Sequence, residues 1–407
     1  PPPNMDPQLF TAVILVGGPT RGTRFRPLSL DIAKPLFPVG GKPLIYHHIA
    51  ACANQFGDKM HKIFLLGSFD DDTFTTFIAK TKTELGVDIE YLKEDAALGT
   101  AGGLFVFRQK ILPPNVTHFF VLHADTCCTF PLEDILKFHM SHGKTATMLG
   151  VRVPSSQAVK YGCYVAEENT NKMLHYAEKP EGYISDTINA GVYLFGRQFL
   201  AASIKRTPSK NDLFSFPESR DDNPSKLSME YDVLPSLVAD QLAYVLEYKE
   251  FWGTVKTAGS AAYCNEQYLR YYAKSRKELL TKGTNIVGAV IIDPTATIDP
   301  TAKIGPNVYI GPNTTIGPGV RISNSIILSN GQVKAHACIL YSILGDECIV
   351  GQWTRLEGLN TSTPDAKRDP ICVLGRGIVV SPEIIVHNCI VMPHKTLEQS
   401  CFDEILL

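Results

Sequence analysis

No stretch of this chain is apolar for long enough to span a bilayer, and its N-terminus carries no signal-peptide pattern. A membrane protein is therefore not expected, and a cytoplasmic one is. Neither sign of charge is in excess. The 39 basic residues stand against 41 acidic ones, a formal net charge of −2, which argues against a generic binder of nucleic acid or anionic membrane. Cysteine occurs ten times but never as Cys-x-x-Cys, and only Cys127 and Cys128 are adjacent. That is neither a zinc framework nor a disulfide scaffold, and a reduced compartment fits.

What is present is an ordinary globular composition, 44% hydrophobic over 407 residues, which suggests two or three domains. Residues 1–10 are set aside as a tail, since Pro1-Pro2-Pro3-Asn4 precedes Met5. Up to about residue 250, strand-like runs at 12–16, 62–66, 117–122, 145–151 and 189–195 alternate with helical patterns near 43–55, 72–85 and 131–141. This α/β alternation implies a mostly parallel sheet whose ligands bind at the carboxyl ends of the strands. Residues 204–228 read as a polar surface insertion, and a linker helix is expected over 259–284. The first domain is thus placed at 11–258 and the last at 285–407.

From residue 286 a period of six takes over. Ile292, Ile298, Ile304, Ile310, Ile316, Ile322 and Leu328 follow one another at that spacing, with glycine after the aliphatic residue at 305, 311 and 317. Three such hexapeptides make one coil of a parallel β-helix, each aliphatic side chain pointing inward. The phase breaks at Lys334 and is expected to resume at Ile343 and Ile349. Residues 357–370 read as a polar loop extruded from the coils.

The chemistry-bearing residues lie mainly in the first domain. The run 12–16 empties into Gly17-Gly18 and then Arg21, Arg24 and Arg26, a loop suited to gripping a di- or triphosphate. It lacks the dinucleotide spacing, and Thr23-Arg24 stand where a P-loop needs Lys-Ser/Thr. Lys34 follows, placed to neutralise phosphate or simply solvated. Leu98 to Gly103 forms a second glycine-rich turn containing Gly99 and Thr100. Glu94 precedes it, able to accept from the N1–H and N2–H of guanine or to sit exposed in a loop. Asp125 ends an apolar strand, where it suits either Mg²⁺ or a turn. Gly162, Glu178, Lys179 and Asn189 supply small and polar groups suited to a sugar phosphate. His47, His48 and His123 show no metal-ligand spacing.

Together the arginine loop, Lys34-Pro35, Leu98-Gly99-Thr100-Ala101-Gly102, Asp125, Glu178-Lys179-Pro180 and Asn189-Ala190-Gly191 resemble the sugar-1-phosphate nucleotidyltransferases. With the hexapeptide domain ending in Met392-Pro393-His394-Lys395, the likeness is to the GDP-mannose pyrophosphorylase family over nearly the whole chain. The resemblance implies a Rossmann-like nucleotidyltransferase domain with a mixed, mostly parallel sheet, followed by a left-handed parallel β-helix of hexapeptide repeats. It also implies roles. The arginine loop with Arg24 would hold the triphosphate, with Lys34 assisting, and Gly17, Gly18, Glu94, Gly99 and Thr100 would belong to the ligand-binding site. Gly162, Glu178 and Asn189 would face the sugar, Lys179 the sugar phosphate, and Asp125 a Mg²⁺ ion.

Two departures from the catalytic pattern stand out. Pro19-Thr20-Arg21 replaces a single loop residue, and misplacing phosphate-binding groups by about 1 Å can cost on the order of 100-fold in rate. Thr254, in Phe251-Trp252-Gly253-Thr254, stands where catalytic members carry a second metal-binding Asp, with Lys256 close behind. Both match the family's non-catalytic alpha subunit. The resemblance therefore implies a regulatory subunit that binds GDP-mannose and joins a catalytic beta subunit in a hetero-oligomer, alongside copies of itself. Feedback inhibition would pass through the 357–370 loop. An active mannose-1-phosphate guanylyltransferase using GTP, mannose 1-phosphate and Mg²⁺ is the alternative. A pure scaffold, like the nucleotidyltransferase-like subunits of the translation-initiation exchange factor, is the third reading.

Overall fold

Leu9–Gly17 is apolar and buried along almost its full length, the pattern of a strand covered on both faces. The computed structural model describes residues 9–19, 23–200, 226–359 and 371–407. They group into two units, one holding 9–19 and Ile45–Trp252, the other 23–44 and Gly253–Leu407.

The first unit is built on nine strands: β1 (Leu9–Gly17), β2 (Met60–Gly67), β3 (Ile89–Lys93), β4 (Val116–His123), β5 (Ala146–Arg152), β6 (Gly162–Ala166), β7 (Met173–Glu178), β8 (Thr187–Gly196) and β9 (Ala243–Tyr248). They form one sheet in the order β7-β6-β8-β4-β1-β2-β3, with β5 joining β8 to β9. The β4-β1-β2-β3 half is parallel, whereas β8 runs antiparallel to β4, β5 and β6. All five expected strands are present, as are the helices α1 (Leu44–Phe56), α2 (Thr75–Leu85) and α4 (Leu132–His142). The Leu98–Gly103 turn is corrected, because Gly99–Val106 is already a helix, α3. Its apolar residues Ala101 and Leu104 are fully buried, and that burial outweighs the poor helix propensity of three glycines. Both belong to one buried cluster with Val13, Phe64, Phe119, Met148 and Phe195.

A buried histidine group lies beside β5. His139 Nδ1 and His142 Nε2 each sit 2.8 Å from the Thr147 hydroxyl, and His142 stacks on Tyr244 at 4.2 Å. Burial, reinforced by His118 and His142, pushes the His139 imidazole down to about 3. Burial, then Lys144, pushes His142 down to about 4. Both folded values lie below the unfolded one near 6.5. The stability of the neutral form is therefore complete above pH 6.5 and is lost as pH falls toward 3 to 4. Denaturant midpoints should drop between pH 7.5 and 5.0, and His139→Gln should show a shallower drop. An equal drop in both proteins would refute the assignment.

In the second unit, helix α5 (Ala258–Ser275) opens with a reciprocal capping box between Thr257 and Ser260. It is shorter than the 259–284 linker expected, ending before a 3₁₀ turn at Lys277–Leu279. Three parallel sheets of seven, six and six short strands then stack as the faces of a β-helix, in the left-handed hexapeptide style. Ile292 pairs with Ile310, Ile298 with Ile316 and Ile304 with Ile322, three hexapeptides per coil. Ile310, however, pairs with Ile327, and Ile316 with Val333. Here the expected phase is corrected: Ile327, Leu344 and Val350 enter the interior, rather than Leu328, Ile343 and Ile349. The corner at Asn324, held at φ 47°, is one residue shorter than its predecessors. Asparagine tolerates this left-handed backbone, and Asn307 donates to Asn324 Oδ1 (2.9 Å) along the corner. Arg355–Glu357 and Cys372–Leu374 are successive strands of the coil, and residues 360–370 of the expected 357–370 loop lie outside the described ones. The surface insertion expected at 204–228 falls mostly outside them too. No helix among the described residues is long and apolar enough to cross a membrane.

Candidate functional site

Because β1 and β4 are parallel neighbours, with Leu15 opposite His123, their carboxyl ends open on the same edge of the sheet. Gly17 accepts from Ser68 N (2.8 Å), and Gly18 packs so closely on Ser68 that any Cβ there would strike its hydroxyl. Ala124 N donates to Leu15 O (3.2 Å), and Asp125 follows in a half-buried turn. The structure therefore brings Gly17, Gly18 and Asp125 to one edge, as expected.

Glu94 and α3 form one flank. Glu94 N donates to Gly67 O (2.7 Å), and its buried side chain lies against Gly103, where a Cβ would collide with the carboxylate. Gly99 and Thr100 start α3 and are strapped to the 227–230 segment. Leu227 N donates to Leu98 O (2.9 Å), Ala101 N to Leu227 O (2.9 Å) and Met229 N to Thr100 Oγ1 (2.8 Å).

The other flank is a two-residue bulge in β8. Pairing with β5 shifts register between Asn189 and Tyr193, which frees Ala190 and Gly191 from the ladder. Asn189 Oδ1 accepts from Gly191 N (2.9 Å), while its Nδ2 donates to Tyr176 Oη (3.1 Å) and Tyr193 Oη (2.7 Å). Tyr176 donates onward to Glu178 Oε2 (3.0 Å). Burial holds both tyrosine hydroxyls well above their ordinary pKa, so they stay protonated donors. Glu178 pairs across the strands with Gly162, and Lys179 Nζ lies 3.3 Å from Glu178 Oε1 while remaining exposed. Gly162, Glu178, Lys179 and Asn189 thus form one cluster.

Several contributors were not legible as site residues. Tyr176 and Tyr193 carry the hydrogen-bond chain, and Trp252 Nε1 donates to Ala190 O (3.0 Å), holding the bulge. Thr126 Oγ1 donates to the same carbonyl (3.1 Å). Glu230 accepts from Thr100 Oγ1 (2.7 Å) and faces His123 Nε2 at 3.3 Å. Tyr193, four residues after Asn189 in the Asn-Ala-Gly strand, is a usable sequence signal; a lone glutamate after a polar insertion is not. His48 supports the backbone, its Nε2 lying 3.0 Å from His123 O.

The remaining candidates belong to the second unit. Arg24 is exposed in a 3₁₀ turn, and Lys34 Nζ donates to Val255 O (3.1 Å), next to Thr254 in the strand Gly253–Thr254. The inserted loop residues Thr20 and Arg21 lie outside the described residues. Mg²⁺ prefers carboxylate oxygens. This chain offers one such group at Asp125 and a neutral hydroxyl at Thr254. Among the described residues, no group of three or more His, Cys, Asp or Glu is placed to hold a metal.

The nucleotidyl transferase family matches residues 11–234, and the GMPPB C-terminal domain family matches 286–406. The mannose-1-phosphate guanylyltransferase regulatory subunit alpha of Dictyostelium discoideum is 48% identical, over 97% of this chain and 98% of that protein. The regulatory subunit alpha-B of Danio rerio is 40% identical, over 98% of this chain and 100% of its own length. A solved Bacillus anthracis structure described as a glucose-1-phosphate thymidylyltransferase shares the fold. Its TM-score is 0.51 at 19% identity, over 63% of this chain and 94% of that one. The chain accordingly belongs to the nucleotidyl transferase family, among the relatives of the mannose-1-phosphate guanylyltransferase regulatory subunits alpha.

Proposed function

We propose that this chain is the regulatory subunit of a mannose-1-phosphate guanylyltransferase. It binds GDP-mannose in the first unit and restrains a catalytic homologue in a hetero-oligomer. The carrying observation is 48% identity, across nearly the whole chain, to a protein named for that role. The clustered Asn189, Glu178 and Lys179 support a retained sugar-phosphate pocket. Thr254 supports lost turnover, because a hydroxyl replaces the carboxylate that Mg²⁺ prefers. Coupling of this kind requires two sites whose ligands bias the same pair of states. The 357–370 segment is the one we assign to contact with the partner.

The test is pyrophosphate release by the purified chain given GTP, mannose 1-phosphate and Mg²⁺, beside a GDP-mannose binding titration. Saturable binding is expected, with turnover at least about 100-fold below that of a homologue with the shorter loop and the second Asp. Comparable turnover would establish a working transferase instead. That reading has its own support in the Xenopus laevis relative, 40% identical and named mannose-1-phosphate guanyltransferase alpha-B.

A further inference from the structure

Glu230 belongs to no motif, yet three parts of the pocket converge on it. Its side chain is 15% exposed. Oε2 accepts from Thr100 Oγ1 (2.7 Å) and Ser228 Oγ (2.8 Å), and Oε1 faces His123 Nε2 at 3.3 Å. That imidazole nitrogen has no hydrogen-bond partner among the described residues. The ring of His123 in turn packs on Tyr193, centroids 5.7 Å apart. Thr100 begins α3, whose Gly103 supports Glu94; His123 ends β4, two residues before Asp125; Tyr193 holds Asn189. A nearly buried carboxylate is costly unless paired, and an apolar residue of similar size would serve stability equally well. Its hydroxyl donors make charge-assisted bonds, which are short and directional. Such bonds fix positions better than apolar packing does.

We infer that Glu230 is a positioning residue that sets the α3 flank of the pocket at a fixed distance from the strand end carrying His123 and Asp125. The inference rests on the reading of this pocket as a nucleotide-sugar site. A ligand that engages both flanks at once gains from their fixed spacing, because its second contact is made without further ordering. A ligand that touches one flank gains little. Glu230 therefore matters for GDP-mannose and hardly at all for GMP or mannose 1-phosphate alone.

The experiment titrates GDP-mannose, GMP and mannose 1-phosphate into wild type, Glu230→Ala, Glu230→Gln and Val245→Ala, the last a buried core position on β9. Glu230→Ala should weaken GDP-mannose by about 10- to 30-fold and each fragment less than threefold. Glu230→Gln keeps one oxygen for both hydroxyl donors and should restore affinity to within threefold of wild type. Val245→Ala should lower Tm with affinities unchanged, which separates positioning from general destabilisation. Equal losses for all three ligands in Glu230→Ala, or none, would overturn the inference. Hydrogen exchange on the ligand-free chain decides independently of any ligand. The peptide containing Ala101 should lose about tenfold protection in Glu230→Ala but not in Val245→Ala. Unchanged protection there overturns the inference. A wild type that binds none of the three ligands overturns the proposed function instead, and the exchange result still stands.

Discussion

Asn189→Ala should destabilise the first unit by about 3 kcal/mol and remove measurable GDP-mannose binding. The side chain makes three hydrogen bonds, to Gly191 N, Tyr176 Oη and Tyr193 Oη. Two of those partners cannot find water readily, since Tyr193 is 1% exposed and Tyr176 is 5% exposed. A buried polar group left without its partner costs about 1–3 kcal/mol, about twice the net value of an ordinary hydrogen bond. Loss at Tyr193 and at Gly191 N accounts for the figure. The bulge would also lose the contact that shapes it, because Asn189 Oδ1 holds the Gly191 amide. The clustered Gly162, Glu178 and Asn189 would then move together, which is why binding should fail along with stability. Urea unfolding and calorimetric titration on one preparation measure both. A stability change below about 1 kcal/mol would mean that water replaces the lost partners, contrary to the burial seen here.

How much of this could be read from the sequence depended on what fixed each feature locally. The strands of the first unit were legible because Ala12 to Val16 and its counterparts are apolar on both faces. The pocket motifs were legible because Gly-Gly, Leu-Gly-Thr-Ala-Gly and Asn-Ala-Gly place unusual backbone beside polar groups. Asn189, Glu178 and Lys179 accordingly fall in one cluster. Glu230 was not legible: its partners Thr100 and His123 are remote in sequence and come together only through the fold. The β-helix phase failed for a different reason. Ile326, Ile327 and Leu328 are all large and aliphatic, so a strict period of six accepts Leu328 as readily as the true interior residue. The length of the Asn324 corner decides between them, and corner length leaves no mark on hydrophobic spacing. The same ambiguity recurs at Ile343-Leu344.

Gly99→Ala and Gly17→Ala separate steric exclusion from backbone preference, and the first should be by far the more damaging. Both glycines have positive φ, 85° at Gly99 and 76° at Gly17. For a residue with a Cβ, a left-handed backbone costs about 1–2 kcal/mol. At Gly17 nothing lies within 4 Å of the added methyl, so that cost is the whole effect. At Gly99 the methyl would meet the backbone carbonyl of Leu227, which cannot swing aside like a side chain. Relief requires moving residue 227, and with it the hydrogen bonds that Leu227 makes to Leu98 O and Ala101 N. The sum, conformational cost plus one or two broken backbone hydrogen bonds, is about 4 kcal/mol. Gly99→Ala should therefore lose both Tm and GDP-mannose affinity, the latter by on the order of 100-fold as α3 tilts from its flank. Gly17→Ala should keep its fold, with a Tm drop of only a few degrees. If the two variants lost equal stability, the Leu227 contact would be soft, and the strap between α3 and the 227–230 segment would carry no constraint. Unequal losses, with affinity following Gly99, would tie the geometry of the pocket to that strap.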